Sequence, residues 1–170
     1  MAHPAKLTVW IITLSDRASR GEYEDLSGPA IREQVEVFFR DSNVKLDFRT
    51  HLIPDDPGQL EKLLIAARES DANVVFTTGG TGIGPRDFTP EIAGNIIEKE
   101  LPGIMELIRV KYGMIKPNAL VSRGVAGTYG NTLIYTLPGS LRAVAEYCAE
   151  ILPTIMHSVK MIYGIDDHSQ

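Results

Sequence analysis

Residues 77–91, TTGGTGIGPRDFTPE, follow directly on the apolar run Asn73-Val74-Val75-Phe76. The reading of this junction decides the fold. A short apolar, β-branched run that stops abruptly at glycine is how a strand buried in a parallel sheet runs out into a connection at the sheet edge. Gly79, Gly80 and Gly82 allow positive φ and close backbone approach, so consecutive N–H groups can turn towards an anion. The same glycines also suit a tight connection that holds nothing, and the loop alone leaves both readings open. Thr89-Pro90-Glu91 carries a cap followed by proline at the first helical position, ahead of Ile92, Ile96 and Ile97, so the loop is expected to end in a helix.

Two known phosphate cradles fail on this loop. Counted from Gly79 as a P-loop, Gly84 falls in place but Pro85 stands where lysine is required. Counted from Gly80 and Gly82 as a dinucleotide fingerprint, Pro85 again occupies the third glycine position, and the loop follows the third strand rather than the first.

Outward from the junction, the chain alternates strand and helix. Residues 6–14 (KLTVWIITL) are nearly continuously apolar, as a central parallel strand should be. Ser27 is placed to cap a helix with Ile31, Val35, Phe38 and Phe39 as its apolar stripe. Residues 45–53 alternate Leu46, Phe48, Thr50 and Leu52 against charged neighbours and read as a half-buried strand. Asp56-Pro57-Gly58-Gln59 marks a helix start ahead of Leu60, Leu63, Leu64 and Ala67. Residues 72–78 form the third strand, and a helix near 103–114 follows Pro102. Short runs around Val125 and over 132–137, separated by Tyr129-Gly130-Asn131, predict a hairpin. Helical periodicity resumes through Val144, Tyr147 and Ile151, and Pro153 is expected to break or kink it before a last helix near 155–162. The expected class is α/β: one domain over 1–170, a three-layer α/β/α sandwich with a largely parallel sheet and a small hairpin.

The chain has 170 residues, 44% of them hydrophobic and 23% charged, with a net charge of −5. That balance argues against broad nucleic-acid binding, which needs an excess of lysine and arginine on one face. No apolar stretch approaches the ~20 residues of a membrane span, and no secretory signal pattern opens the chain, so no membrane partner is expected. Cys148 is the only cysteine, which excludes an internal disulfide and fits a reducing, cytoplasmic compartment. His3, His51, His157 and His168 lack metal-ligand spacing, and Trp10, Met105, Met114 and Met156 read as core.

Strands joined by helical crossovers share one carboxyl edge, where open α/β folds bind ligands. The first strand delivers Ser15, Asp16 and Arg17 there, the second Pro54 and Asp55, and the third the glycine loop with Arg86 and Asp87. Asp56 has capping work, whereas Asp55 and Asp87 have none. Two such carboxylates on one edge suit Mg²⁺, which takes few protein oxygens and completes its shell with water and phosphate. Solvated surface aspartates are equally compatible with the sequence.

Several ordered motifs together resemble the molybdopterin adenylyltransferase family, the MogA-type proteins related to the gephyrin G domain. They are Leu14-Ser15-Asp16-Arg17-Ala18-Ser19 with Gly21, Tyr23 and Asp25, then Leu52-Ile53-Pro54-Asp55, and Thr77-Thr78-Gly79-Gly80-Thr81-Gly82 with Arg86-Asp87 and Thr89-Pro90. Leu101-Pro102-Gly103, Ser122-Arg123 and Leu137-Pro138-Gly139 match as well. The likeness covers nearly the whole chain. Related domains of the molybdenum insertase and competence-damage type share the double Thr-Gly pair but usually differ after it.

The resemblance implies a MoaB/MogA-like fold and transfer of AMP from ATP to the terminal phosphate of molybdopterin, with Mg²⁺ as cofactor and ATP as co-substrate. It also implies a homotrimer and a MoeA-type insertase as a partner. Asp55 and Asp87 match the family's catalytic carboxylates. Thr78, Gly79, Gly80, Thr81 and Gly82 match its pterin and nucleotide phosphate site, and Ser15, Asp16, Arg17, Arg86, Ser122 and Arg123 join the implied substrate-binding set. Pro138 and Gly139 match a conformationally special loop beside it, and Ser140 stands where many members have asparagine. A MoaB-type protein that binds the pterin without catalysis is the alternative.

Overall fold

The computed structural model describes residues 6–165. In its sheet β1 (Lys6–Leu14) lies between β2 (Lys45–Ile53) and β3 (Val74–Thr78), with β6 (Thr132–Leu137) beside β3. These four strands are parallel. β5 (Ala126–Tyr129) and β4 (Lys99–Glu100) extend the sheet antiparallel, giving six strands in the order β2-β1-β3-β6-β5-β4. The hairpin read from Tyr129-Gly130-Asn131 is the β5–β6 turn, with Tyr129 opposite Thr132. β4 has two residues and carries no strand signal in the sequence.

The near-continuous apolar character of β1 has its reason in the two faces it must cover. Leu7, Val9 and Ile11 enter one core with α2 (Ser27–Phe39), α5 (Pro102–Gly113) and α6 (Leu141–Ile162). Trp10, Ile12 and Leu14 enter a second core with α3 (Pro57–Glu69) and α4 (Thr89–Ile96). This is the α/β/α sandwich the alternation predicts. β2 is an edge strand, and its pattern is accordingly weaker: Leu52 and Thr50 face outward while Ile53 is buried.

Four local expectations are corrected by packing. Ser27 is not the cap of α2. It is the first helical residue, and Asp25 takes its amide, its hydroxyl and the Gly28 amide on one carboxylate oxygen while the other accepts the Thr13 hydroxyl. A carboxylate offers more lone pairs than a hydroxyl, so it holds helix and strand together. Asp25→Ala is expected to lower stability by about 1–2 kcal/mol, read from equilibrium denaturation. Thr89 likewise begins α4 instead of capping it, and its hydroxyl donates back to the Gly79 carbonyl. Phe38 and Met114 are exposed, whereas the stripe through Ile31, Val35 and Phe39 and the side chain of Met105 are buried.

Pro153 lies inside α6 without ending it. Proline removes the N–H that would reach the Ala149 carbonyl and costs about 3 kcal/mol in a helix interior. Ile151 and Leu152 before it and Ile155 and Val159 after it are buried in the same core. Each such side chain contributes about 1.5–3 kcal/mol on burial, so packing on both sides outweighs the lost bond. Asp56 caps α3 as read, accepting the Gln59 amide at 2.9 Å. Gln59 returns to the Asp56 carboxylate, not to its backbone amide.

Candidate active site

The loops after β1, β2 and β3 are tied to one another at the carboxyl edge. The Ser15 amide donates to the Ile53 carbonyl at 2.9 Å, which closes the ends of β1 and β2 together. Beyond it Asp16 and Asp55 exchange hydrogen bonds. The Asp55 amide donates to Asp16 Oδ1 at 3.0 Å, and the Asp16 amide donates to Asp55 Oδ2 at 3.2 Å. Arg86, from the third loop, pairs with Asp16 Oδ2 and donates to the Asp55 carbonyl at 3.1 Å. The Asp55 amide holds the Asp16 carboxyl below the usual carboxylate range, opposed by desolvation and aided by the Arg86 charge.

The glycine loop answers the question its sequence raises. The Gly79 amide is spent on the Leu137 carbonyl, continuing the sheet. After that the carbonyls are taken up from behind. Gly79 O accepts the Thr89 hydroxyl, Gly80 O the Thr89 amide, Thr81 O the Arg123 amide, and Gly82 O the Arg123 Nε at 2.7 Å. In a planar trans peptide the next N–H points opposite to the carbonyl. Gly80, Thr81 and Gly82 therefore turn their amides away from the chain, and among the described residues these amides donate to no protein acceptor. Gly79 and Gly80 hold φ of 105° and 65°, which side chains rarely adopt. The loop has the shape of an anion-accepting nest.

Two pockets open on this edge. The larger, about 890 Å³, is bounded by Gly80, Thr81 and Gly82, by Ser122, and by Pro138, Gly139 and Ser140 at the start of α6. The smaller, about 360 Å³, takes Ser15, Asp16 and Arg17 with Asp55 and Arg86. Gly80 and Asp87 line both. The structure thus brings most of the sequence-derived site residues to one place and distributes them over two adjoining spaces.

Three of those residues lie behind the pockets. Thr78 is buried and donates to the Pro138 carbonyl at 3.0 Å. Gly79 supports the loop as above. Arg123 pairs with Glu91 and donates to the carbonyls of Gly82 and Asp87, bracing both ends of the loop segment between them. Gly139 has no left-handed backbone, and a Cβ there would stand 3.6 Å from the Gly79 Cα, an ordinary contact, so the special conformation expected of this loop is not seen at Gly139. Ser140 caps α6 through the Ala143 amide at 3.3 Å.

Sequence reasoning missed Tyr112, Glu146 and Tyr147, which line the larger pocket from α5 and α6. The Tyr147 hydroxyl meets Ser122 Oγ at 2.8 Å. Helical periodicity assigns such residues to a packed face without showing that the face ends at a cavity. Tyr23, in the smaller pocket, lies within the quoted motif without being read as a site residue.

Asp55 and Asp87 both line the smaller pocket. Asp55 Oδ2 is engaged by the Asp16 amide, and Asp87 Oδ2 by the Gly84 amide at 2.7 Å. Each carboxylate keeps its other oxygen free of protein donors among the described residues. A Cβ on Gly82 or Gly84 would come within 2.7 or 2.9 Å of Asp87 Oδ2, so these glycines make room for that carboxylate. No group of three or more His, Cys, Asp or Glu among the described residues is placed to hold a metal ion, but Mg²⁺ needs few protein oxygens, and the two free carboxylate oxygens are donors of the kind it takes. His3 and His168 lie outside the described residues. His51 stacks on Trp10 at 4.9 Å, and burial followed by the Arg49 charge lowers its pKa. Cys148 is buried in the core, and burial pushes its thiol up to about 12. No helix of the described residues is long and apolar enough to cross a membrane.

The comparisons with known proteins point the same way. Residues 10–157 match the family described as "Probable molybdopterin binding domain". A molybdopterin adenylyltransferase of Helicobacter pylori (strain J99) is 38% identical over 157 residues, covering 92% of this chain and 88% of that protein. Gephyrin of Dictyostelium discoideum is 34% identical over 160 residues, which span 91% of this chain and 22% of that longer protein. The crystal structure of the molybdopterin biosynthesis enzyme MoaB from Thermus thermophilus superposes with a TM-score of 0.81 at 36% identity, over 93% of this chain and 97% of that one. The chain belongs to the molybdopterin-binding-domain family.

Proposed function

We propose that this chain is a molybdopterin adenylyltransferase acting in molybdenum cofactor biosynthesis, a single catalytic domain over 1–170. The observation that carries the reading is the meeting of two pockets at Gly80 and Asp87, beside amides with no protein acceptor. Two anionic substrates each need a space, and the reacting phosphates need a shared wall. In the reaction a terminal phosphate oxygen of molybdopterin bonds to the α-phosphorus of ATP. The bond from that phosphorus to the β-phosphate oxygen breaks, and pyrophosphate leaves with the electron pair.

A phosphate nucleophile is already deprotonated but is repelled by the phosphate it attacks, so catalysis here is alignment and charge neutralisation. The amides of Gly80, Thr81 and Gly82 supply fixed dipoles at the junction. Arg17, Arg20 and Arg86 line the smaller pocket and suit the charge of a triphosphate. Asp55 and Asp87 would hold Mg²⁺, which when bound neutralises phosphate charge. Contacts from the larger pocket, including Ser122 and Ser140, would orient the other substrate.

Leu107 and Val110 on α5 and Met114 just past its end are exposed, and the exposed Leu120 lies over Gly113. Such a face supports the homotrimer reading. A cytoplasmic protein that passes its product to a MoeA-type insertase completes the proposal.

Incubation with molybdopterin and Mg-ATP tests it. Stoichiometric pyrophosphate release that depends on both substrates is the expected result. The alternative is a MoaB-type protein in which the pterin binds without turnover. Saturable pterin binding with no pyrophosphate would establish that alternative and remove the enzyme.

A further inference from the structure

Asp16 sits where the loops after β1, β2 and β3 meet, and it holds a group from each of the other two. Its Oδ1 accepts the Asp55 amide and its own amide donates to Asp55 Oδ2, so Asp55 is gripped at its backbone and at one carboxylate oxygen. Its Oδ2 takes the Arg86 guanidinium, which also reaches the Asp55 carbonyl. Asp16 is itself set by local structure. It opens α1 (Asp16–Ser19), whose cap Ser15 accepts the Ala18 amide at 3.2 Å.

Exposure tells what these contacts do. The Asp16 side chain is 17% exposed, that of Arg86 63%. A pair with so exposed a partner adds little to stability, because water screens it. An arginine left free at that exposure would sample many rotamers, and ordering it on substrate binding would cost affinity. The contact therefore supplies geometry: it keeps the guanidinium over the smaller pocket, and it leaves the second Asp55 oxygen fixed in place.

We propose that Asp16 is the positioning residue of this centre, acting through Asp55, whose carboxylate it orients, and through Arg86, whose guanidinium it holds at the pocket. The kinetic half of this proposal rests on the adenylyl-transfer reading. The two actions are separable by substitution. Asparagine keeps an oxygen for the Asp55 amide but offers Arg86 no charge, whereas alanine leaves only the backbone amide.

The test uses the full chain, with Mn²⁺ titration followed by electron paramagnetic resonance beside steady-state kinetics and circular dichroism. In Asp16→Asn, Mn²⁺ affinity stays within about twofold of wild type while KM for ATP rises about tenfold. In Asp16→Ala the backbone amide still reaches Asp55 Oδ2, but the Asp55 backbone loses its anchor on Asp16 Oδ1, so the carboxylate is no longer held in place, Mn²⁺ affinity falls about tenfold or more and kcat falls with it. Wild-type Mn²⁺ affinity in a folded Asp16→Ala chain overturns the proposal. So does an asparagine variant indistinguishable from the alanine one, or a wild-type chain that binds no Mn²⁺. Should the alanine variant not fold, the asparagine variant decides, and an unchanged KM overturns the proposal. A chain that shows the expected Mn²⁺ pattern but releases no pyrophosphate sinks the enzyme reading alone, leaving the hold on Asp55 in place.

Discussion

An Asp87→Ala chain is expected to fold and to turn over on the order of 10³ times more slowly than wild type in adenylyl transfer. Asp87 belongs to both pockets, so its carboxylate stands at the wall the two substrates share. Removing one preorganised electrostatic contact from a centre of phosphoryl transfer costs about 3–4 kcal/mol of barrier, which is that factor in rate. The side chain also accepts the Gly84 amide, a bond worth about 1 kcal/mol in an exposed loop. Loss of that bond is too small to explain the expected rate change. Asp87→Asn separates the two contributions, because it retains an acceptor for Gly84 while removing the charge. Pyrophosphate release at saturating substrates should remain at least about 10² slower in the asparagine variant. Wild-type turnover there would reduce Asp87 to a brace of its own loop.

The largest stability effect is expected at Gly79. Its φ of 105° is outside what a side chain tolerates, and a Cβ there would overlap the Leu14 carbonyl oxygen. That oxygen belongs to the backbone of β1, which is held on both sides by β2 and β3, so it cannot move aside as the tip of a long side chain would. Gly79→Ala should lose about 3–5 kcal/mol, the sum of a strained dihedral and steric displacement. Gly21 is the control: its φ is 74° but nothing lies within 4 Å of an added Cβ. Gly21→Ala should lose only about 1 kcal/mol. Equilibrium denaturation of both variants is the measurement. A Gly79→Ala chain as stable as Gly21→Ala would mean that the loop does not lie against the end of β1.

Much of the architecture is legible in residues 6–14, 57–69 and 74–78, where burial on one or two faces writes itself as an apolar run or a helical stripe. The start of α3 is equally plain, because Asp56 caps an amide three positions away. Where these readings fail, a distant partner intervenes. Thr89 resembles a cap by its neighbours, yet its hydroxyl is drawn ten residues back to the Gly79 carbonyl. Pro153 resembles a helix end, yet the core on either side of it carries α6 through.

The site divides along the same line. Glycines able to turn their amides outward, carboxylates without capping work and a resemblance across ordered motifs are all properties of short stretches, and they are sufficient to place the family. That Asp16 and Asp55, 39 positions apart, hold each other is a property of the folded sheet. So is the division of the binding edge into two spaces that meet at Gly80 and Asp87. The physical reason is range. Backbone preference and hydrophobic period are set by residues within a turn or a strand of one another, and the chain states them directly. Which carbonyl an arginine from another loop will cover depends on how the sheet aligns the ends of its strands, and only the assembled strands decide that.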